Sequence, residues 1–395
     1  MQSFDRSSEG HGSLGCNRQA TPRGAPGYNP RPMSGPLLAL LAVAALAVLT
    51  ALHYAFWQWR LAAPPGEDEV VPARTGDGWT LALGRRRPRG PARRPPVLLV
   101  HGIAMNRQAL DFGVERYSLS AFLSRAGFDC FALDLRGHGG SRRGPTRRWD
   151  LDTYLREDVP AALDAIRDAT GEAQVLFVGH SQGALLGMAA CALYPERVAA
   201  LVALAAPAHF DVQERLRAVV KLRHLPLGGF LRLGSRLLAP FSGYWHPAAA
   251  DLAINMRNVE RPVYRRMLAN AIENLQPGVL AQFAAFVRED SFRSMDGSRD
   301  YRALLASARQ PALFVSAEKD GLAPPAVVEA AFRRWAGPKR YWSCGRDYGH
   351  GDVLLGRNAP EVVFPMVRDF LLEQSGALPA EGGVAGRSSA APVPG

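Results

Sequence analysis

Short apolar runs recur along the chain, each closing on turn residues: VLLVHG (97–102), CFALDLRG (130–137), VLFVGH (175–180), ALVALAAP (200–207), ALFVSAEKD (312–320) and RYWSCGRD (340–347). Their apolar character is nearly continuous rather than alternating, which is expected of strands buried on both faces. Between them lie helical patterns such as LDTYLREDVPAALDAIRDAT (151–170). Strand–helix alternation predicts an α/β chain with a mostly parallel sheet covered by helices on both faces. Ligands of such sheets gather at the carboxyl ends of the strands. The rhythm breaks from about 211 to 308, where apolar helical segments such as YRRMLANAIENL (264–275) and LAQFAAFVRED (280–290) run without a strand. That interval reads as an inserted helical cap. The expected organisation is therefore core at 61–210, cap at 211–308 and core again at 309–373. Residues 1–35 and 374–395, rich in Gly, Ser, Pro and Ala, are expected to be disordered.

A different pattern occupies residues 37–59: 23 positions with no Asp, Glu, Lys or Arg. About 20 such residues cross a bilayer's hydrocarbon core as a helix, whereas a signal peptide's apolar core has about 7–15. A transmembrane helix over 36–60 is the expectation. Tyr54, Trp57 and Trp59 stand at its C-terminal end, where an aromatic belt belongs. The twenty residues before the apolar stretch carry Arg18, Arg23 and Arg31 and no acid, whereas the twenty after it carry Arg60 and Arg74 against Glu67, Asp68, Glu69 and Asp77. Lys and Arg favour the cytoplasmic side, so a single-pass protein with its body outside the cytoplasm is expected. The run RRRPRGPARR (85–94) reads as a solvated loop between two strands.

The net charge of +11 invites a nucleic-acid reading. It is set aside because the excess is arginine spread through an Ala- and Pro-rich chain with only Lys221, Lys319 and Lys339. Cys16, Cys130, Cys191 and Cys344 match no metal spacing. With no G-x-G-x-x-G after a strand and no His/Cys cluster, no cofactor or metal is expected. Nothing in the sequence gives the oligomeric state.

The chemistry concentrates in VLFVGHSQGALLG (175–187). A serine between two glycines, where a strand stops and a helix starts, is a nucleophile elbow. Gly179 and Gly183 let strand and helix approach beside Ser181. The helix starting at Gln182 offers free N–H groups to a developing oxyanion. A serine hydroxyl needs a base, and His350, between the last strand and the last helix, is the candidate. The imidazole needs a carboxylate. Asp320, ending the preceding strand, is the expected acid, with Asp211 after an earlier strand and Asp352 beside His350 as rivals. The order Ser181, Asp320, His350 suits this topology. His101-Gly102-Ile103 follows the strand PPVLLV, so the N–H of Ile103 is expected to pair with that of Gln182 around the oxyanion. The second His-Gly pair, in RGHGGS (136–141), reads as a tight turn.

On the motifs HGIAMNRQALDF, CFALDLRGHGGS, RWDLDTYLREDVPAALDAIRDATGEAQVLFVGHSQG and GHGDVLLGRNAPEVV, the sequence over about 70–373 resembles the α/β-hydrolase superfamily, leaning towards its acid-lipase group. The resemblance implies a Ser–Asp–His ester hydrolase, lipase- or esterase-like, with a helical cap and a lipophilic ester substrate. The chain also resembles the polyhydroxyalkanoate-synthase group, which usually carries Cys where this chain has Ser181. A membrane-anchored carboxylic-ester hydrolase is the leading expectation. An acyltransferase on the same scaffold, or a non-catalytic binding protein, is the alternative.

Overall fold

A computed structural model describes residues 34–64, 66–210, 229–246 and 248–377. The predicted disorder of 1–33 and 378–395 lies outside the described residues, as does Asp211. The chain divides into two compact units, Met1–Ala51 and Leu52–Gly395. The first holds the beginning of α1 (Gly35–Leu61), whose apolar side chains there stand exposed along their length. Among the described residues α1 alone is long and apolar enough to cross a membrane.

The second unit is built on one nine-stranded sheet in the order β1-β2-β4-β3-β5-β6-β7-β8, with β9 alongside β3. The strands are β1 (Glu69–Arg74), β2 (Thr80–Arg86), β3 (Arg93–Val100), β4 (Phe128–Asp134), β5 (Val175–His180), β6 (Val198–Leu204), β7 (Ala312–Ser316), β8 (Lys339–Ser343) and β9 (Gly376–Ala377). From β4 to β8 all neighbours are parallel. The hairpin β1–β2 adds antiparallel strands to the β4 edge.

Successive side chains of a strand face opposite sides, and the central strands bury both. Leu98, Val100 and Phe177 belong to one apolar cluster; Val97, Leu99, Leu176 and Val178 belong to the other. The first face is covered by α3 (Val159–Thr170), α4 (Gln182–Leu193) and α8 (Pro325–Arg334). The second is covered by α2 (Leu119–Arg125) and α9 (Ala359–Glu373). The turn entering the α3 region is set by Asp150, whose carboxylate accepts the Thr153 N–H at 2.9 Å. Gly171, at φ 76°, ends α3 in the left-handed conformation that glycine adopts without strain.

The segment following β6 divides in two. Residues 229–275, including α5 (Leu231–Leu238) and α6 (Arg261–Asn270), lie over the carboxyl ends of the strands, where they line a cavity with Ser181. The remainder, from α7 (Pro277–Glu289) to Leu305, instead joins the core of the first face through Val279, Phe286, Phe292 and Tyr301. Apolar periodicity is the same for a helix over a cavity and a helix on a sheet, so the single cap expected over 211–308 did not separate them. Two further expectations are corrected. The run 85–94 is not wholly loop: Arg85 and Arg86 end β2, and Arg93 and Arg94 begin β3. Arg85 pairs with Glu69 and Asp129 at 2.9 and 2.6 Å, and Arg86 is buried against Asp111 at 2.6 Å. The C-terminal segment expected as disordered from 374 first pairs Gly376 and Ala377 with Arg94 and Arg93.

Candidate active site

Ser181 ends β5 and starts α4 at φ 54°, ψ −117°. A non-glycine residue with positive φ is strained, at a cost of about 1–3 kcal/mol. The surrounding backbone holds it there: the Ser181 N–H donates to Leu204 O at 2.8 Å, and Ser181 O accepts from Ala184 N at 2.9 Å. The flanking glycines are required by close approach. A Cβ on Gly179 would lie 2.3 Å from Gly183 O, and one on Gly183 would lie 2.1 Å from Val100 O. The hydroxyl thus sits at the carboxyl end of β5, in the first turn of a helix whose leading N–H groups lack acceptors within it.

His350 lies in the turn after β8. Its Nδ1 donates to Asp320 Oδ2 at 2.8 Å, with both side chains buried. The other oxygen of Asp320 accepts the N–H groups of Leu322 and Ala323, each at 2.7 Å. The carboxylate is therefore fixed in rotation by its own loop. Ser181, His350, Gly102 and Ile103 line one cavity of about 220 Å³. A Cβ on Gly102 would sit 3.2 Å from Ser181 Cβ, which shows how closely the His101-Gly102-Ile103 turn approaches the serine. Apart from Ser181, His180, His350 and Ser235, the lining is apolar or glycine, including Met105, Ile254, Met267, Leu268, Ile272 and Leu354.

Two histidines beside the site are structural. His180 Nε2 donates to the His350 carbonyl at 3.0 Å, and the two rings lie 4.9 Å apart. Burial, reinforced by the neighbouring His350, pushes the His180 pKa down to about 3, so this ring stays neutral and anchors the main chain of His350. His101 is likewise pushed to about 3 by burial. Its Nε2 accepts the Leu135 N–H at 3.2 Å. The RGHGGS segment is a tight turn, closed by Gly137 N–H to Ser141 O at 2.8 Å, with the His138 ring against His101.

Sequence reasoning missed the residues that fasten the cap. Asp352 takes no part in holding the imidazole. It is fully buried and accepts the Asn255 N–H and the Asn258 side-chain amide, both at 3.1 Å. On the other flank, buried Glu273 accepts from Asn106 and Arg142 at 3.1 and 3.0 Å, and its N–H donates to Ala104 O at 2.8 Å. The cap is thus tied both to the turn carrying His350 and to the turn carrying Ile103. A lone Glu or Asp in the sequence gives no sign of such partners.

The Asp352 latch predicts a pH effect. Burial pushes its carboxyl up to about 6, while the amides of Gly349, Asn258 and Asn255 hold it from rising further. Its ordinary value is 3.8, so between about pH 4 and 6 the folded state binds more protons than the unfolded one. Stability then falls as pH rises through that window. Melting wild type and Asp352→Asn side by side should show wild type losing ground from about pH 4 to 6, then a constant gap. A gap independent of pH would refute the assignment.

A family model for the alpha/beta hydrolase fold matches residues 95–352. The chain belongs to the α/β-hydrolase fold family. Within it, this α/β-hydrolase is similar to human lysosomal acid lipase/cholesteryl ester hydrolase, at 32% identity over 145 residues, 33% of this chain and 36% of the relative. It is 31% identical to human gastric triacylglycerol lipase over 179 residues, 41% of this chain and 44% of the relative. In both cases the chain spans well under half of the relative's length. Solved structures share the fold: a thermophilic esterase from Thermogutta terrifontis superposes with TM-score 0.52 at 21% identity, over 78% of this chain and 99% of the other. A membrane phospholipase A superposes with TM-score 0.54 at 19% identity, over 86% and 97%.

Proposed function

We propose that this α/β-hydrolase is a membrane-anchored serine hydrolase that cleaves carboxylic esters of lipophilic acyl chains. The observation that carries the reading is the Asp320–His350 hydrogen bond beside a strained serine, in a cavity with an apolar lining. The similarity to acid and gastric lipases supports the ester and its lipophilic acyl chain. The apolar helix α1 supports the anchor, and the arginines before it with the acids after it favour a catalytic body on the non-cytoplasmic side.

In this mechanism His350 Nε2 takes the Ser181 proton as Oγ attacks the ester carbonyl carbon. The N–H groups of Ile103 and Gln182 hold the resulting oxyanion; losing one such donor costs about 2.7–4 kcal/mol. Asp320 keeps Nδ1 protonated and stabilises the imidazolium. His350 then gives its proton to the leaving alkoxide, the alcohol departs and an acyl-Ser181 remains. Water attacks that acyl group as His350 accepts its proton; His350 then returns the proton to Ser181 Oγ as the acid leaves. Neutral His180 keeps its hydrogen bond to the His350 carbonyl throughout. No step calls for a metal or an organic cofactor.

A fluorophosphonate tests the nucleophile directly. An activated serine hydroxyl attacks its phosphorus far faster than an ordinary one, with loss of fluoride. Labelling of the full chain should be stoichiometric and located on Ser181 by peptide mass spectrometry. Labelling elsewhere, or none, would overturn the assignment.

A further inference from the structure

The large apolar side chains that the second unit exposes are not scattered. Beyond α1, ten stand exposed among the described residues, and all but Val70, Met295 and Val362 fall within 230–245 of the cap. Phe230, Leu233, Leu238, Phe241, Tyr244 and Trp245 are 46–74% exposed. A soluble surface rarely gathers such side chains; patches of this kind mark protein or membrane contacts.

Three observations select a lipid bilayer as the occupant. First, the patch is continuous with the C-terminal turns of α1. The His53 ring stacks on Phe241 at 5.6 Å, and Leu61 packs with Ala239 and Ala269 of the cap. Second, its rim has the composition of a headgroup layer. Arg261 lies over Tyr244 at 5.0 Å and Arg265 over Trp57 at 5.1 Å. Aromatic rings with arginines settle at the boundary between hydrocarbon and water, and the cations favour anionic lipids. Third, the patch borders the cavity. Leu231, on the same helix as Leu233 and Leu238, lines the cavity and is itself 38% exposed. Leu268 lines the cavity and packs against the cluster formed with Leu61.

We propose that the cap face formed by Phe230, Leu233, Leu238, Phe241, Tyr244 and Trp245 is a second membrane contact, lying in the headgroup layer where α1 leaves the bilayer, so that ester substrate enters the cavity past α5 directly from the lipid. The inference rests on α1 being a membrane anchor. It assigns the cap a role that a soluble esterase would not need.

The test uses the full chain in phosphatidylcholine vesicles containing phosphatidylglycerol, with Cys16→Ser so that the remaining cysteines are buried. An environment-sensitive fluorophore is placed on Tyr244→Cys or on Asp168→Cys. The second site is in the last turn of α3, at the opposite end of the strands from Ser181. Brominated lipid should quench the label at 244 and leave that at 168 bright. In parallel, Leu233→Glu/Phe241→Glu/Trp245→Glu should hydrolyse a long-chain ester dissolved in the vesicles about tenfold more slowly or worse, with turnover of a water-soluble short-chain ester unchanged. An unquenched label at 244, or equal loss on both esters, would overturn the proposal, as a dimer or protein interface on this face would produce the former. Quenching at 244 in a wild type that hydrolyses neither ester would uphold the contact and strike only the hydrolase reading.

Discussion

Replacing Ser181 by alanine is expected to abolish ester turnover while leaving the melting temperature within about a degree of wild type. The hydroxyl takes no part in the hydrogen bonds that set the elbow; those run through the main-chain N–H and carbonyl of residue 181. Removing the nucleophile of such a set lowers kcat by roughly 10⁶, with a residual 10³–10⁴ over water from the oxyanion donors and binding. The decisive form of the measurement is a series of nitrophenyl esters from acetate to palmitate, wild type beside the variant. Turnover that rises with chain length and vanishes in Ser181→Ala is the expected result, because the cavity lining beyond Ser181, His180, His350 and Ser235 is apolar or glycine. A short-chain optimum would keep the hydrolase and remove the lipophilic substrate. Turnover that survives in the variant would remove Ser181 as nucleophile. No turnover by wild type on any ester would move the weight to acyl transfer or to binding alone.

Asp320→Asn should be nearly as damaging, and for a reason visible in the loop that holds it. Oδ1 accepts two main-chain N–H groups, from Leu322 and Ala323, while Oδ2 accepts from His350. An asparagine must keep its carbonyl oxygen on those two donors, because an amide NH₂ cannot accept them. Its NH₂ group then faces His350 Nδ1 and forces that nitrogen to become the acceptor. The proton moves to Nε2, the atom that must take the Ser181 proton, and the base is lost. A fall of about 10⁴ in kcat is expected, with little change in KM and the fold retained. Asp320→Ala tests the same idea differently. It frees the imidazole to choose either tautomer, so its loss should be no greater than that of Asp320→Asn. If Asn retained most of the activity, another acid would have to orient His350. Asp352 could not be that acid without releasing Asn255 and Asn258 of the cap.

Much of this was legible in the chain because the signals are local. Ser181 could be singled out because the tight approach of strand and helix leaves room only for glycine at 179 and 183, which stamps a five-residue motif on the sequence. Asp320 could be placed because it closes an apolar run, and His350 because it stands between the last strand-like run and the last helix. The strand-like runs of the sheet were visible from their continuous apolar character, whereas β1, largely exposed, and β2, which closes on Arg85 and Arg86, gave a weaker signal. Arg85 and Arg86 were read as solvated because a charged residue in a strand is affordable only with partners. Those partners, Asp129 and Asp111, are supplied from elsewhere in the chain.

Periodicity, glycine placement and the length of an apolar run are properties of a short window, and they were enough to indicate the parallel sheet, the tight turn at Ser181 and a helix able to cross a membrane, and to single out Ser181, Asp320 and His350 as candidates. The tertiary structure alone decided which carboxylate meets His350, that Asp352 and Glu273 fasten the cap, that residues 277–305 belong to the core, and that seven large apolar side chains of the cap remain outside it. Each of these depends on groups brought together across tens to more than a hundred residues. Whether a polar group is satisfied or an apolar face covered is fixed by packing, which no local pattern records.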